Sequence, residues 1–196
     1  DNGRCYDKWD KAITGTKNFA DIIHSNIPSA NIALISFGGK KNNTGYSDSK
    51  LIRDFSASNF SGLNETDSFK IEMPAYEQDV NSGGTNLEAG LRRAKELLDT
   101  VPANALKYVV VMGDGEPTFY YDDSGTTVGN GSSYDKNGRD DAVAEATNIK
   151  INSNAKIYSI GYLLLFTSLF CFHFFTKFFI FSCVFITITK NIVYCL

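Results

Sequence analysis

Apolar positions recur along the first 160 residues with two different periods. From Lys8 to Ile23, Trp9, Ile13, Phe19, Ala20 and Ile23 return at helical spacing, and Pro28 closes the segment, which predicts a helix. "NIALISF", 31–37, is a short β-rich run between Pro-Ser and Gly-Gly, the pattern of a buried strand. Leu51 to Phe55 carries a weaker strand signal, and "FKIEMPAY", 69–76, reads as irregular. The next helical stripe is Leu87, Leu91, Ala94 and Leu97/Leu98, with Thr85 or Asn86 placed to cap it. "KYVVVM", 107–112, is the strongest strand signal in the chain. A helix over "GRDDAVAEATNIKIN", 138–152, and a strand over "KIYSIGY", 156–162, follow it.

Strands separated by helices imply an α/β fold: a doubly wound, mostly parallel sheet with helices on both faces. Ligands in such sheets sit beyond the carboxyl ends of the strands. The turns "SGGTN", 82–86, and "GDGEP", 113–117, are both expected on that edge. Asp114 is therefore delivered by a buried strand to the rim where binding takes place.

Composition removes several function classes. The net charge is −3 and the pI about 5.4. Lys and Arg are scattered with no aromatic ladder beside them, so no nucleic-acid surface is expected. Of the four cysteines only Cys5 precedes residue 163, which rules out a disulfide framework or a cysteine-based zinc site in that part. No phosphate-cradling G-x-x-x-x-G-K-S/T string occurs.

The two turns offer oxygen donors only. Asp114 supplies a carboxylate and Thr85 a hydroxyl, and Gly83, Gly84 and Gly115 let the backbone approach closely. Hard oxygen ligands on loops suit Mg²⁺, Mn²⁺ or Ca²⁺ rather than zinc or copper. His24 falls on the first helix and His173 in the apolar tail, so neither supports a histidine mechanism. An Asp after a strand, or "GGTN" before a helix, is by itself most often a plain turn or cap. Their joint occurrence, each between a strand and a helix, points to a shared site.

"GGTNLEAGLRRAKELLD" followed by "KYVVVMGDGEPTFYY" resembles the von Willebrand factor type A domain family. "KWDKAITGTKNFADII" is similar to that family's first helix, "NIALISFGG" to its second strand and "KIYSIGY" to its fifth. The resemblance spans roughly residues 5–162. It implies a metal-ion-dependent adhesion site built from three loops, in which Thr85 and Asp114 match the second and third. Gly83, Gly84, Gly115 and Glu116 would shape and tune those loops.

The family's first loop, D-x-S-x-S after strand 1, has no match in that place, because "DNGRC" resembles the end of that turn. The string Asp54, Ser56, Ser58 follows the wrong strand and is read as edge strand and loop. The implied fold is accordingly incomplete, without strand 1 and without the last strand and helix. Residues 1–162 form a partial domain that is not expected to fold stably alone, since a central strand is missing.

The resemblance implies a binding module and no enzyme. It would be a divalent-metal-dependent adhesion domain at the cell surface or outside the cell, with Mg²⁺ (or Mn²⁺ or Ca²⁺) held weakly or not at all by the truncated site. The partner implied is a protein presenting an acidic residue. The alternatives are an intracellular assembly subunit of a chelatase- or chaperone-type complex, and a metal-assisted hydrolase using Asp114.

Residues 163–196 differ from everything before them and hold nine of the fifteen phenylalanines. About seventeen Leu/Ile/Phe/Val side chains at roughly −0.4 kcal/mol each outweigh about +3 kcal/mol for Lys177, so 163–189 could cross a bilayer. A single-pass anchor is one expectation for this tail. Translation of an intron or a shifted frame is the other, favoured by the abrupt change directly after a strand.

Overall fold

The computed structural model describes residues 3–55, 84–113, 116–161, 183–189 and 193–195. Helix α1 (Gly3–Asn26) leads into β1 (Asn31–Phe37) and β2 (Ser49–Arg53). Helix α2 (Leu87–Asp99), β3 (Leu106–Gly113), the short strands β4 (Phe119–Tyr121) and β5 (Thr127–Gly129), helix α3 (Lys136–Asn152) and β6 (Ala155–Gly161) follow. Strands β7 (Cys183–Thr189) and β8 (Val193–Cys195) come from the apolar tail.

One sheet has the order β2-β1-β7-β8-β3-β6, and β4 and β5 form a separate antiparallel pair. β3 and β6 are parallel, with Val109 opposite Ile157 and Gly113 opposite Gly161. β2 is antiparallel to β1, and β7 is antiparallel to both β1 and β3. The fold is mixed α/β as expected, but its described sheet is mixed in direction rather than mostly parallel. The position between β1 and β3, expected to be a gap, is taken by the tail. Asn31–Ser36 face Ile188–Cys183 on one side of β7, and Leu106–Met112 face Thr189–Cys183 on the other.

Alternation along β1 and β3 builds a core on each face of the sheet. Ala33, Ile35, Phe37, Val109 and Val111 pack with Leu91, Ala94 and Leu98 of α2 and Ala142 and Ile149 of α3. Ile32, Leu34, Val110 and Met112 turn to the other face and meet Phe19, Ala20 and Ile23 of α1. Helices therefore cover both faces. Each fully buried Leu, Ile or Phe contributes about 1.5–3 kcal/mol. α2 comes unusually close to β1 at Gly90, where a Cβ would lie 2.7 Å from Phe37 Cδ1.

Local chemistry sets the ends of the elements. Asn86 caps α2, its Oδ1 accepting from the Ala89 N–H at 3.2 Å, so of the two expected caps Asn86 holds the role. Asp135 caps α3, accepting from Asn137 N–H at 2.9 Å. Buried Lys107, on β3, donates to the carbonyls of Leu98 (3.1 Å) and Val101 (3.2 Å), placing a cation against the carboxyl end of α2. The strand expected at 51–55 lies instead at Ser49–Arg53, because Asp54 turns back to accept from the Phe55 N–H at 2.6 Å. "FKIEMPAY", Ser56 and Ser58 fall outside the described residues.

Candidate functional site

β1, β3 and β6 run in one direction, so Phe37, Gly113 and Gly161, at their carboxyl ends, lie on one edge of the sheet. The turn entering α2 reaches the same edge. An isolated bridge joins Gly84 to Gly39, just past β1, and the Asn86 N–H donates to the Gly38 carbonyl at 3.0 Å.

Thr85 is tied to the segment that follows β3. Its N–H donates to Thr118 Oγ1 at 2.8 Å, and its carbonyl accepts from Thr118 N–H (3.0 Å) and Phe119 N–H (3.1 Å). Two turns about thirty residues apart in sequence are thus hydrogen-bonded into one unit. Thr85 is half-buried, and its hydroxyl has no hydrogen-bond partner among the described residues.

Glycine makes this approach possible. Phe119 is fully buried, and a Cβ on Gly84 would stand 2.5 Å from its Cε2 and 2.6 Å from Thr118 Oγ1. A Cβ on Gly39 would also collide with the Phe119 ring. The loops converge on an aromatic plug that tolerates no side chain at either position.

Beneath the Thr85 turn lies a buried polar cluster centred on Asp48, which is 3 % exposed. Asp48 Oδ2 accepts from Asn86 Nδ2 (2.9 Å) and Thr127 Oγ1 (2.6 Å), and Oδ1 from Asn43 Nδ2 (2.8 Å). The Asp48 N–H donates to the Tyr121 hydroxyl at 2.8 Å. One carboxylate therefore joins the loop after β1, the cap of α2 and the β4–β5 hairpin. Burial, with the charges of Asp48 and Glu88 adding to it, pushes the Tyr121 phenol far above its ordinary range.

Glu88, also buried, accepts from the Tyr121 N–H at 3.0 Å and from Arg92 Nε at 2.6 Å. Partial burial pulls Arg92 down, but its hydrogen bond to Glu88 and the charge of Glu88 outweigh this and raise it. The Arg92 guanidinium lies 4.6 Å from the centre of the Tyr46 ring, which meets Tyr121 edge-on at 4.9 Å. Tyr46 holds a left-handed backbone (φ 56°), anchored by its N–H to the Gly125 carbonyl at 3.2 Å.

Of the residues expected at the site, Gly84, Thr85 and Glu116 are described, and Gly83, Asp114 and Gly115 lie outside the described residues. Glu116 is exposed and borders an apolar cavity of about 450 Å³ between α2, α3, β3 and β6. Among the described residues no group of three His, Cys, Asp or Glu side chains converges to hold a metal ion. His24 is half-buried in the last turn of α1, away from the rim, and His173 lies outside the described residues. Among the described residues no helix is long and apolar enough to cross a membrane.

Asp48, Tyr121, Thr118 and Glu88 had no signal in the sequence that marked them. Asp48 sits in the polar run "NNTGYSD", and its partners come from that run, from the cap of α2 and from the β4–β5 hairpin. Comparison with family models, curated proteins and solved structures returned no match for this chain.

Proposed function

We propose that the chain is a divalent-metal-dependent protein-binding module of the von Willebrand factor type A kind, with Thr85 and Asp114 as metal ligands. The observation that carries this reading is the pair of hydrogen-bonded turns, Thr85 against Thr118, at the carboxyl rim of the sheet. Asp114 directly follows β3 and precedes Thr118 by four residues. The half-buried Thr85 hydroxyl fits a hard cation, since it offers a neutral oxygen on a backbone fixed from both its N–H and its carbonyl.

A bound cation would offer a coordination position to a carboxylate of a partner protein. The chain's own residues hold the turn in place: Thr118 fixes the Thr85 backbone, Asn86 starts α2 directly behind it, and Asp48 ties Asn86 to the loop after β1. A surface or extracellular setting is proposed on the resemblance alone.

Titration of the full chain with Mn²⁺, followed by electron paramagnetic resonance, tests the reading. Saturable binding that weakens at least about tenfold in Asp114→Ala and in Thr85→Val is expected, in line with the loss of a ligand or its support. Equal affinity in all three proteins removes the metal from the site.

A further inference from the structure

We propose that the cavity between α2, α3, β3 and β6 is a binding site for a small amphipathic amine, with the apolar body enclosed and the ammonium group held at Glu116. This does not depend on the metal reading.

The cavity arises from small side chains. α3 turns Ala142 and Ala146, one helical turn apart, towards Val111 of β3 and Ile157 of β6, and Leu91 of α2 closes another side. Two methyl groups do not fill the space between a helix and a sheet, and about 450 Å³ stays open. Packed interiors leave few voids larger than a water molecule. A void of this size with an almost wholly apolar lining gives water few partners and suits an organic occupant. Cavities of about 300–1,000 Å³ take small organic molecules, which a few polar groups orient.

The polar side chains of the lining, Glu116, Tyr134, Arg139 and Ser159, are all exposed and so stand at the mouth. Their charges are not equally available. Arg139 is already answered, its Nε and Nη2 both donating to Asp140 Oδ1. Glu116 has no hydrogen bond or ion pair among the described residues. The amino end of α3, which would otherwise favour an anion, is capped by Asp135. An ammonium group therefore finds an unpaired carboxylate at the mouth. A carboxylate would meet Glu116 and Asp140 beside an arginine that is already paired.

Calorimetric titration of the full chain, at low ionic strength and with EDTA present, tests the proposal. The probes are phenylbutylamine, phenylbutanol and phenylbutyrate, which share one apolar body. The amine is expected to bind about threefold to fivefold more tightly than the alcohol, the scale of one partly exposed ion pair. The carboxylate is expected to bind more weakly than either. Glu116→Gln is expected to bring the amine to the alcohol's affinity and to leave the alcohol's own affinity unchanged. Ala146→Phe fills the cavity from α3, and Val143→Trp covers it from an exposed position. Both are expected to abolish binding of all three probes.

No binding of the amine, equal affinity for the three probes, or a preference for the amine that survives Glu116→Gln overturns the proposal. So does binding that is unchanged in both Ala146→Phe and Val143→Trp.

Discussion

Asp48 Oδ2 accepts a hydrogen bond from Asn86 Nδ2 at 2.9 Å, while Asn86 Oδ1 caps α2. One amide side chain thus links a buried carboxylate to the start of the helix behind Thr85. Asp48→Ala would leave donors of Asn43, Asn86 and Thr127 unpaired, at about 1–3 kcal/mol each if they stay buried. Asp48→Asn keeps a single acceptor oxygen and is expected to fall between wild type and Asp48→Ala. Urea midpoints at unchanged slope check the order. A cycle with Asn86→Ala is expected to show a coupling of about 0.5–3 kcal/mol.

Thr118 Oγ1 is the acceptor for the Thr85 N–H. Thr118→Val keeps the shape and removes the acceptor, which should cost about 1–3 kcal/mol of stability. Thr118→Ser should retain most of it. If Thr85 is a metal ligand, Thr118→Val should also weaken Mn²⁺ binding while Thr118→Ser does not, as read by the same titration. A loss of stability without any change in Mn²⁺ affinity would separate the fold from the proposed site.

Tyr121 makes stability depend on pH at the alkaline end. Its phenol is held neutral in the folded chain by burial and by the nearby charges of Asp48 and Glu88. A raised folded pKa means that the unfolded chain loses this proton first, from about pH 10. The contribution is therefore complete below pH 10 and declines above it by up to about 1.4 kcal/mol per pH unit. Tyr121→Phe, which also orphans the Asp48 N–H, is expected to be less stable at neutral pH and to lack this extra alkaline decline. Denaturant titrations of both proteins at pH 8 to 11 measure the difference.

Gly84→Ala puts a methyl group against Phe119 and Thr118. Overpacking of this kind costs about 1–3 kcal/mol. The expected outcome is a lower unfolding midpoint, accompanied by faster exchange of the Thr85 amide as the turn is pushed off Thr118. A Gly84→Ala protein with unchanged stability and exchange would mean that the two turns are not pressed together as described.

Six of the elements were legible in the sequence because their signals are local, α1 among them, expected from Lys8 to Ile23 and observed from Gly3 to Asn26. Asn31–Phe37 and Leu106–Gly113 are runs of β-branched and apolar residues, and the stripe from Leu87 to Leu98 repeats at helical spacing behind a capping residue. α3 and β6 were likewise found to within two residues at either end. The turn at Gly84 and Thr85 was legible as the entry to α2, since glycines ahead of a capping residue leave a compositional mark.

The hairpin of β4 and β5 was not anticipated, because strands of three residues are too short to show a period. Asp48 was not legible either. Its importance arises from donors at positions 43, 86 and 127, and no local pattern encodes such distances.

The tail shows the division most sharply. By itself the sequence determined that residues 183–189 are apolar, β-branched and able to leave water. Hydrophobicity is a property of the segment, and both a bilayer and a protein core satisfy it. Where the segment goes was decided by tertiary structure, through the open edges of β1 and β3 and the backbone groups on them that need partners.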